Sequence, residues 1–277
     1  MTSFPKRIVV WAALSSTLIG CSVRGVPSTA PSDADGPLRI AATTSALPLV
    51  LEAISTYEGG ALNVEVRTGN YRQAITMLLA GEVQLVVTTH LDAADAVRVW
   101  AAPVAQDAVT LVVHPSNPIE DISLSNARRL FQGQIGSWAE LEGSDLPVTV
   151  VSREDGSGIR SQFDQLVMGT RATTGVAITA ASTEGVLRQV AGDPNAVGYA
   201  SLSSVDRSVR ALAVEGVLPS LRTLSDNTYP LRSTVFVVAA AEPQGQARAL
   251  TAWMQSPEGQ AVISALFQPV VATPDGP

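Results

Sequence analysis

The sequence predicts an α/β protein built from two lobes, and three observations support this fold class. Apolar runs typical of strands alternate with segments of helical periodicity from residue 38 to residue 254. The 277 residues are enough for two domains of ordinary size. Hydrophobic residues make up 46% of the chain and charged residues 16%, so a sizeable core can form and extensive disorder is not expected.

The first five elements alternate between strand and helix. Apolar residues recur at i, i+3, i+4 and i+7 from Leu47 onward, which is typical of one face of a helix. This order predicts parallel strand pairing through right-handed crossovers, so the carboxyl ends of the strands should share one edge of a sheet. The elements are strand 38–42, helix 47–57, strand 62–66, helix 71–78 and strand 83–87.

A strongly apolar strand at 109–113, followed by Pro115 and Pro118, marks the first passage between the lobes. The late strand at 235–239 is interpreted as a return to the first lobe. The first lobe is therefore discontinuous and the second continuous, with boundaries at 38–112 plus 230–277, and at 113–229. The other predicted elements are helix 125–131, strand 148–151, helix 159–167, helix 183–190, strand 197–200 and helix 246–254, which closes the chain.

The N-terminus has the pattern of a secretion signal. Lys6 and Arg7 precede an apolar run at 8–19, which is too short to span a bilayer comfortably as a helix. The run ends in Leu-Ile-Gly before Cys21, which resembles the bacterial lipobox, in which the cysteine becomes the first mature residue and carries lipid. We expect residues 1–20 to be a signal peptide and Cys21 to be lipidated. A plain signal anchor with a buried thiol is the alternative.

The segment 21–37 predicts a flexible tether. After the cysteine it holds three prolines, two glycines and small polar residues, with no apolar periodicity. As a coil it would reach roughly 20 Å, enough to hold a domain just off a membrane. Because Cys21 is the only cysteine, the mature domain can form no internal disulfide.

The charge pattern argues against a nucleic-acid partner, because no basic stripe is visible. The full chain carries a formal charge of −7. Removal of residues 1–20 would leave 16 basic and 25 acidic side chains, a net charge of −9. Any anion site must therefore concentrate positive potential locally, in a cleft.

The most informative stretch, Ser-Arg-Glu-Asp-Gly-Ser-Gly-Ile, runs from a predicted strand to a predicted helix, where ligands bind at the carboxyl ends of α/β strands. Gly156 and Gly158 let the backbone approach a ligand closely, and the first amides of the helix lack intrahelical partners. Arg153 can give a bidentate contact to an oxyanion, and Asp155 can brace its guanidinium. The alternative is that Ser157 caps the helix while Arg153 pairs with Asp155 on the surface.

Three further polar turns are expected to meet on one sheet edge. Each follows a predicted strand, and hydroxyls with helix-start amides suit an anion, although helix capping is the everyday role of Thr and Ser there. Their convergence is a stronger indication than any one turn. The turns are Thr-Thr-Ser at 43–45, Thr-Gly-Asn-Tyr at 68–71 and Thr-Thr-His at 88–90.

Four ordered segments carry a resemblance to a known family: 152–158, Leu-Phe-Gln-Gly-Gln-Ile-Gly-Ser-Trp at 130–138, Ala-Val-Gly-Tyr at 196–199 and Tyr-Pro-Leu-Arg at 229–232. From Ile40 to about Leu266 the chain resembles the phosphate-binding proteins of bacterial ABC importers. The resemblance implies the type II periplasmic-binding-protein (Venus-flytrap) fold. It also implies ligand capture in the cleft between the lobes, by hinge closure, and delivery to a membrane permease.

The resemblance also implies a set of phosphate-binding residues, with Thr43 and Asp155 supporting them. Ile159 stands where threonine is usual, so only its amide carries over. Thr89 stands where some members have aspartate and others serine; a hydroxyl both donates and accepts, so we expect phosphate binding with weaker discrimination against sulfate. The implied contacts are Thr44, Ser45, Gly69, Asn70, Thr88, Thr89, Arg153, Ser157, Gly158 and Ile159.

Other functions remain open at this point. The opening Ala-Thr-Thr-Ser and the Thr-Gly loop resemble tungstate-binding relatives, so a receptor for tungstate or molybdate is one alternative. A phosphate sensor or surface signalling protein with the same cleft is another. Neighbouring genes for a permease and an ATPase would favour transport, and an adjacent sensor kinase would favour signalling.

An enzyme is not expected. The chain has only His90 and His114, no Gly-x-Ser-x-Gly elbow, no zinc-ligand spacing and no Walker-type phosphate loop. We therefore expect no cofactor and no metal, and phosphate-ester hydrolysis is the enzymatic alternative.

The expected partners are inorganic phosphate or a similar oxyanion, an ABC permease and ATPase complex, and a membrane contacted through lipid on Cys21. We expect a monomer, secreted across the cytoplasmic membrane and anchored at the cell surface or at its periplasmic face.

Overall fold

The computed structural model describes residues 36–57, 59 and 62–270. Cys21, the predicted signal peptide and nearly all of the predicted tether lie outside the described residues, so the lipid anchor stays a prediction. No helix within the described ranges is long and apolar enough to cross a membrane.

Strands and helices alternate through most of the chain, as predicted. The strands are β1 (Leu38–Thr43), β2 (Val64–Gly69), β3 (Leu85–Thr88), β4 (Trp100–Val113), β5 (Asp121–Ile122), β6 (Thr149–Arg153), β7 (Ile178–Ala180), β8 (Ala196–Ser201), β9 (Arg210–Ala211), β10 (Ala213–Val214), β11 (Arg232–Ala239) and β12 (Gln268–Pro269). The helices are α1 (Leu47–Thr56), α2 (Tyr71–Leu79), α3 (Ala93–Ala96), α4 (Leu124–Phe131), α5 (Gly158–Phe163), α6 (Thr183–Gly192), α7 (Leu221–Ser225), α8 (Gly245–Gln255) and α9 (Pro257–Ile263). Short 3₁₀ helices cover Trp138–Leu141 and Leu202–Ser204, and a π-helix covers Asp164–Met168.

The first three strands pair in parallel, which confirms the predicted parallel pairing. β1 lies between β2 and β3, with Thr43 opposite Gly69 and Ala42 opposite Val87. The carboxyl ends of the three strands therefore reach the same sheet edge. β1 and β3 are buried on both faces, as is typical of parallel strands. Their side chains pack against α1, α8 and α9 in one apolar cluster and against α2 in another.

Two long strands connect the parts of the sheet. Its main path runs β2-β1-β3-β11-β4-β8-β6-β7, with β9 and β12 also pairing with β4. The first part of β4 is antiparallel to β11, and residues from Val109 onward pair with β8. The register shifts where Phe236 faces Pro103, which fits proline because proline cannot donate to the ladder.

The core is divided between two lobes. Apolar clusters of the first lobe draw on residues from Leu38 to Ala105 and from Val235 to Phe267. Clusters of the second lobe draw on residues from Ala108 to Leu231. The strands β4 and β11 cross from one set of clusters to the other, so they are the hinge candidates.

Some boundaries differ from the sequence prediction. β4 begins at Trp100 rather than at residue 109, because alanines and Pro103 weaken the strand signal. The predicted helix 159–167 divides into α5 and the π-helix. Helix α8 does not close the chain, because Ser256 caps a further helix, α9, that begins with Pro257.

Candidate functional site

The corner between β6 and α5 forms the second-lobe side of the candidate site. Gly156 has a φ of +87°, a conformation that glycine adopts readily, and it turns the chain into the helix. Ser157 occupies the N-cap position and is almost fully buried, yet within the described chain its side chain makes no capping hydrogen bond. The helix-capping alternative for Ser157 is therefore wrong, and the hydroxyl and the first amides of α5 remain available to a ligand.

Arg153 lies at the end of β6 with only 2% of its surface exposed. Its Nε and Nη2 donate to the two carboxylate oxygens of Glu154 at 2.8 and 3.0 Å. Its Nη1 donates to Thr44 Oγ1 at 3.3 Å and to Thr183 Oγ1 at 3.2 Å. The side chain is thus a buried charge whose planar group is held on several sides.

The prediction that Asp155 braces Arg153 is wrong in this geometry. Glu154 takes that position, since its carboxylate accepts from Arg153 Nε at 2.8 Å, while Asp155 is exposed. No ion pair between Asp155 and Arg153 occurs among the described residues. The alternative of a surface pair with Asp155 fails for the same reason.

A buried network fixes the backbone at Arg153. Its amide donates to the Tyr199 hydroxyl at 3.1 Å, and that hydroxyl lies 2.9 Å from Ser152 Oγ. Burial raises the pKa of Tyr199 to about 12, so the phenol stays protonated. The Tyr199 ring stacks on Phe163 of α5 at 4.1 Å between centroids. Arg160 donates to the Arg153 carbonyl at 3.0 Å, so the helix holds the strand end in place.

The first-lobe side is the turn between β1 and α1. The N-cap residue of α1 is Ala46, which has no side-chain oxygen, so the three hydroxyls before it are not helix caps. Ser45 Oγ lies 3.0 Å from Thr89 Oγ1 and 3.4 Å from Thr43 Oγ1. All three residues are buried. A cluster of hydroxyls from β1 and β3 therefore lies at the shared sheet edge.

Three predicted contacts have structural roles in the first lobe. Asn70 caps α2 in a capping box with Gln73, at 2.9 and 3.0 Å, so its Oδ1 and its amide are engaged. A Cβ at Gly69 would lie 2.9 Å from Gln73 Oε1, which accounts for the glycine. The Thr88 hydroxyl donates to the carbonyl of His90 and accepts from its amide. That leaves the Thr88 hydroxyl with no proton to donate to an anion.

The two corners face each other across a narrow seam. The Arg72 amide donates to the Gly156 carbonyl at 3.1 Å, and Gln162 of α5 donates to the Thr89 carbonyl. A Cβ at Gly158 would lie 3.1 Å from His90 Cβ and 3.3 Å from Tyr71 Cβ. The sequence-predicted residues of the two lobes are thus brought together, and Gly158 permits the close approach. Ile159 packs its side chain into the second-lobe core, so only its backbone can face the seam.

Glu154 and Thr183 are members of this site that were not predicted from the sequence. Thr183 begins α6 directly after β7, at another strand-to-helix corner, but a Ser-Thr pair before a helix is typical of ordinary capping. The contact that distinguishes Thr183 is with Thr44, 139 positions earlier in the chain, and local sequence carries no signal of it.

A groove of about 750 Å³ lies elsewhere on the second lobe. It is open and is lined by both acidic and basic residues, among them Asp121 and Asp206. Nη2 of its Arg210 donates to the carbonyls of Asn117 and Ile119, so that nitrogen is engaged within the fold. None of the candidate site residues lines it. The seam instead holds the chemistry that suits an oxyanion, and we place the candidate site there.

No group of three or more His, Cys, Asp or Glu side chains in the described part of the chain is arranged to hold a metal ion. The site is instead rich in hydroxyls and amides around one guanidinium, a donor set that suits an oxyanion rather than a cation.

The two-lobed α/β fold and an oxyanion-type donor set between the lobes are typical of the periplasmic-binding-protein class. A family model for the PBP superfamily domain matches residues 27–258, and the chain belongs to that superfamily. It is similar to the phosphate-binding protein PstS of Bacillus subtilis, with 27% identity over 271 residues, covering 92% of this chain and 90% of the relative.

Two solved structures share the two-lobed fold. A Clostridium perfringens protein, assigned as a phosphate ABC transporter substrate-binding protein and solved with bound phosphate, has a TM-score of 0.81 and 26% identity, covering 85% of this chain and 100% of that one. An ABC-type phosphate transport receptor from Vibrio cholerae has a TM-score of 0.68 and 24% identity, covering 83% and 98%. The named relatives are binding proteins rather than enzymes.

Proposed function

We propose that this chain is the substrate-binding protein of an ABC importer for inorganic phosphate. It captures the anion between its lobes by hinge closure and delivers it to the permease. The observation that carries the proposal is the buried guanidinium of Arg153, which meets hydroxyls of both lobes at the seam. The similarity to phosphate-binding proteins over most of the chain supports phosphate as the ligand.

In this proposal the ligand replaces some of the direct contacts across the seam. Arg153, the Ser157 hydroxyl and the amides of Gly158 and Ile159 supply donors from the second lobe. Thr44, Ser45 and Thr89 supply hydroxyls from the first lobe. Donors from both lobes favour the closed state because the anion can accept hydrogen bonds from both sets only when it is enclosed. Gly69, Asn70 and Thr88 shape the first-lobe edge, and Thr43 supports Ser45.

We propose lobe boundaries at 38–112 plus 230–277, and at 113–229. The apolar clusters divide between Ala105 and Ala108 on β4, and between Leu231 and Val235 around the start of β11. Both divisions lie within a few residues of these boundaries, which supports two crossings between the lobes near these positions. We further propose that the protein acts outside the cytoplasmic membrane as a monomer anchored through Cys21. The sequence pattern before that cysteine supports this location.

Calorimetry of the purified protein with phosphate, sulfate, molybdate and tungstate tests the proposal. We expect saturable binding of phosphate and weaker binding of the other three anions, because donors buried at the seam are left unsatisfied by the wrong ligand. Tighter binding of tungstate or molybdate would assign the site to those anions. Absence of phosphate binding would contradict the proposal.

A further inference from the structure

Thr183 contacts the candidate site from the corner between β7 and α6, but it is not one of the proposed anion ligands. Thr183 is the first residue of α6. The helix is capped by the preceding residue, Ser182, whose Oγ accepts from the Gly185 amide at 3.0 Å. The Thr183 hydroxyl is therefore free of the usual helix-start role, although only 2% of the residue is exposed.

The polar atoms of Thr183 meet both lobes. Its hydroxyl accepts from Arg153 Nη1 at 3.2 Å and lies 3.2 Å from Thr44 Oγ1, and its amide donates to Thr44 Oγ1 at 3.4 Å. Arg153 Nη1 also donates to Thr44 at 3.3 Å. These three residues form a closed triangle, which we call the Thr44–Arg153–Thr183 cluster. Thr44 belongs to the first lobe and the other two to the second.

The corner between β7 and α6 makes a second contact with the guanidinium. Arg153 Nε donates to the carbonyl of Ala180, the last residue of β7, at 3.2 Å. With Glu154 on Nε and Nη2, the donors of the guanidinium are mostly engaged, and one Nη2 hydrogen has no partner among the described residues. A guanidinium fixed in this way loses little rotamer freedom when it binds an anion.

We infer that Thr183 is a positioning residue that orients Arg153 for the anion and couples that orientation to lobe closure through Thr44. The inference deepens the proposed phosphate site and rests on it for the ligand. Since the hydroxyl contacts the guanidinium directly and Thr44 across the seam, its loss removes one of the two contacts of Arg153 Nη1 and one of the bonds that join the lobes. A serine at this position keeps the hydroxyl and therefore the function.

The test compares Thr183→Val, Thr183→Ser and Ser182→Ala in the purified protein, with phosphate affinity measured by calorimetry. We expect Thr183→Val to weaken binding about tenfold, because it removes a hydrogen bond to a charged group. We expect Thr183→Ser to bind within about twofold of the wild type. Ser182→Ala removes the cap of the same helix and should lower thermal stability without the affinity loss.

Hydrogen–deuterium exchange without phosphate gives a second readout. Thr183→Val should speed exchange in residues 43–47, which belong to the other lobe, and Ser182→Ala should leave that segment unchanged. Wild-type affinity in Thr183→Val, or an equal loss in Ser182→Ala, would overturn the inference. If the wild type itself binds no phosphate, the proposed ligand fails. The exchange of residues 43–47 then decides the inference: faster exchange in Thr183→Val supports the coupling, and unchanged exchange overturns it.

Discussion

Arg153 differs from a solvent-exposed arginine in two respects: it is almost completely buried, and the plane of its guanidinium is held by several hydrogen bonds. Glu154 neutralises part of its charge, which offsets part of the cost of burying the guanidinium in the absence of an anion. The partial neutralisation also means that binding strength depends on directed hydrogen bonds more than on net charge, which suits a chain with an overall negative charge.

Replacement of Arg153 by alanine should weaken phosphate binding at least tenfold, because hydrogen bonds to charged groups are worth roughly 1.5–3 kcal/mol. Calorimetry of Arg153→Ala beside Arg188→Ala measures this. Arg188 is a matched control, since it lies on α6 with its side chain 74% exposed and pairs only loosely with Glu184. An unchanged dissociation constant in Arg153→Ala would remove the arginine from the site.

Asp107 is a second buried charge, and it lies on β4 close to the point where the strand passes between lobes. Its carboxylate accepts from Ser201, from the Ala108 amide at 2.8 Å and from the Ser203 amide at 3.4 Å. Burial raises its pKa from 3.8 to about 6. The folded protein therefore binds this proton more tightly than the unfolded chain does.

Replacement of Asp107 by asparagine should remove a pH-dependent contribution to stability. Because the folded protein binds the Asp107 proton more tightly than the unfolded chain does, protonation stabilises the fold fully below pH 3.8. That stabilisation is lost as the pH rises to about 6. The unfolding free energy of Asp107→Asn relative to the wild type should therefore increase across this window by on the order of 2 kcal/mol. Denaturant unfolding at several pH values measures the difference. A difference that stays constant with pH would show that Asp107 titrates normally.

At the scale of elements, the N-termini of α2 and α5 differ in how they use their first residues. Asn70 and Gln73 close the N-terminus of α2 with a reciprocal capping box. Ser157 leaves the N-terminus of α5 without a side-chain cap in the described chain. One helix start is built for stability, and the other leaves donors for a ligand.

This contrast predicts opposite effects of two alanine substitutions. Asn70→Ala should lower stability by about 1 kcal/mol, since it removes a helix cap, and should leave phosphate affinity nearly unchanged. Ser157→Ala should leave stability nearly unchanged and weaken phosphate binding severalfold, since only a ligand contact is lost. Thermal unfolding and calorimetry on both variants check the pair. The assignment fails if Ser157→Ala loses stability as Asn70→Ala does.

The sequence predicted the elements whose signals are local. The glycines and the arginine of the β6–α5 loop identified the second-lobe corner, and apolar periodicity located most helices. Side-chain contacts could not be predicted. The choice of Glu154 over Asp155 as the partner of Arg153 depends on side-chain conformation, which the sequence pattern does not indicate. The role of Thr183 depends on Thr44, which only the folded chain brings near. The early part of β4 was missed because pairing with β11, rather than β-propensity, makes it a strand.

At the scale of the whole molecule, the closed arrangement depends on how near the two lobes can approach. Gly158 lies against His90 and Tyr71, where a Cβ would be 3.1 and 3.3 Å from their Cβ atoms. The backbone of α5 thus reaches the first lobe only because this position has no side chain. Strands β4 and β11 supply the two crossings about which such an approach can take place.

Gly158→Ala should hinder closure and weaken phosphate binding by about tenfold or more, because the added methyl group meets the first lobe. Gly192→Ala is the matched control, since nothing lies within 4 Å of a Cβ there. Small-angle scattering with and without phosphate, together with calorimetry, measures both effects. Full compaction and wild-type affinity in Gly158→Ala would show that the lobes do not meet at this point.

A crystal structure of the protein with bound phosphate tests the central claim most directly. The account predicts the anion within hydrogen-bond distance of the Arg153 guanidinium, of Ser157 in the second lobe and of Ser45 in the first. An anion bound at the open groove of the second lobe, or Ser45 and Ser157 on separate outward-facing surfaces, would contradict it.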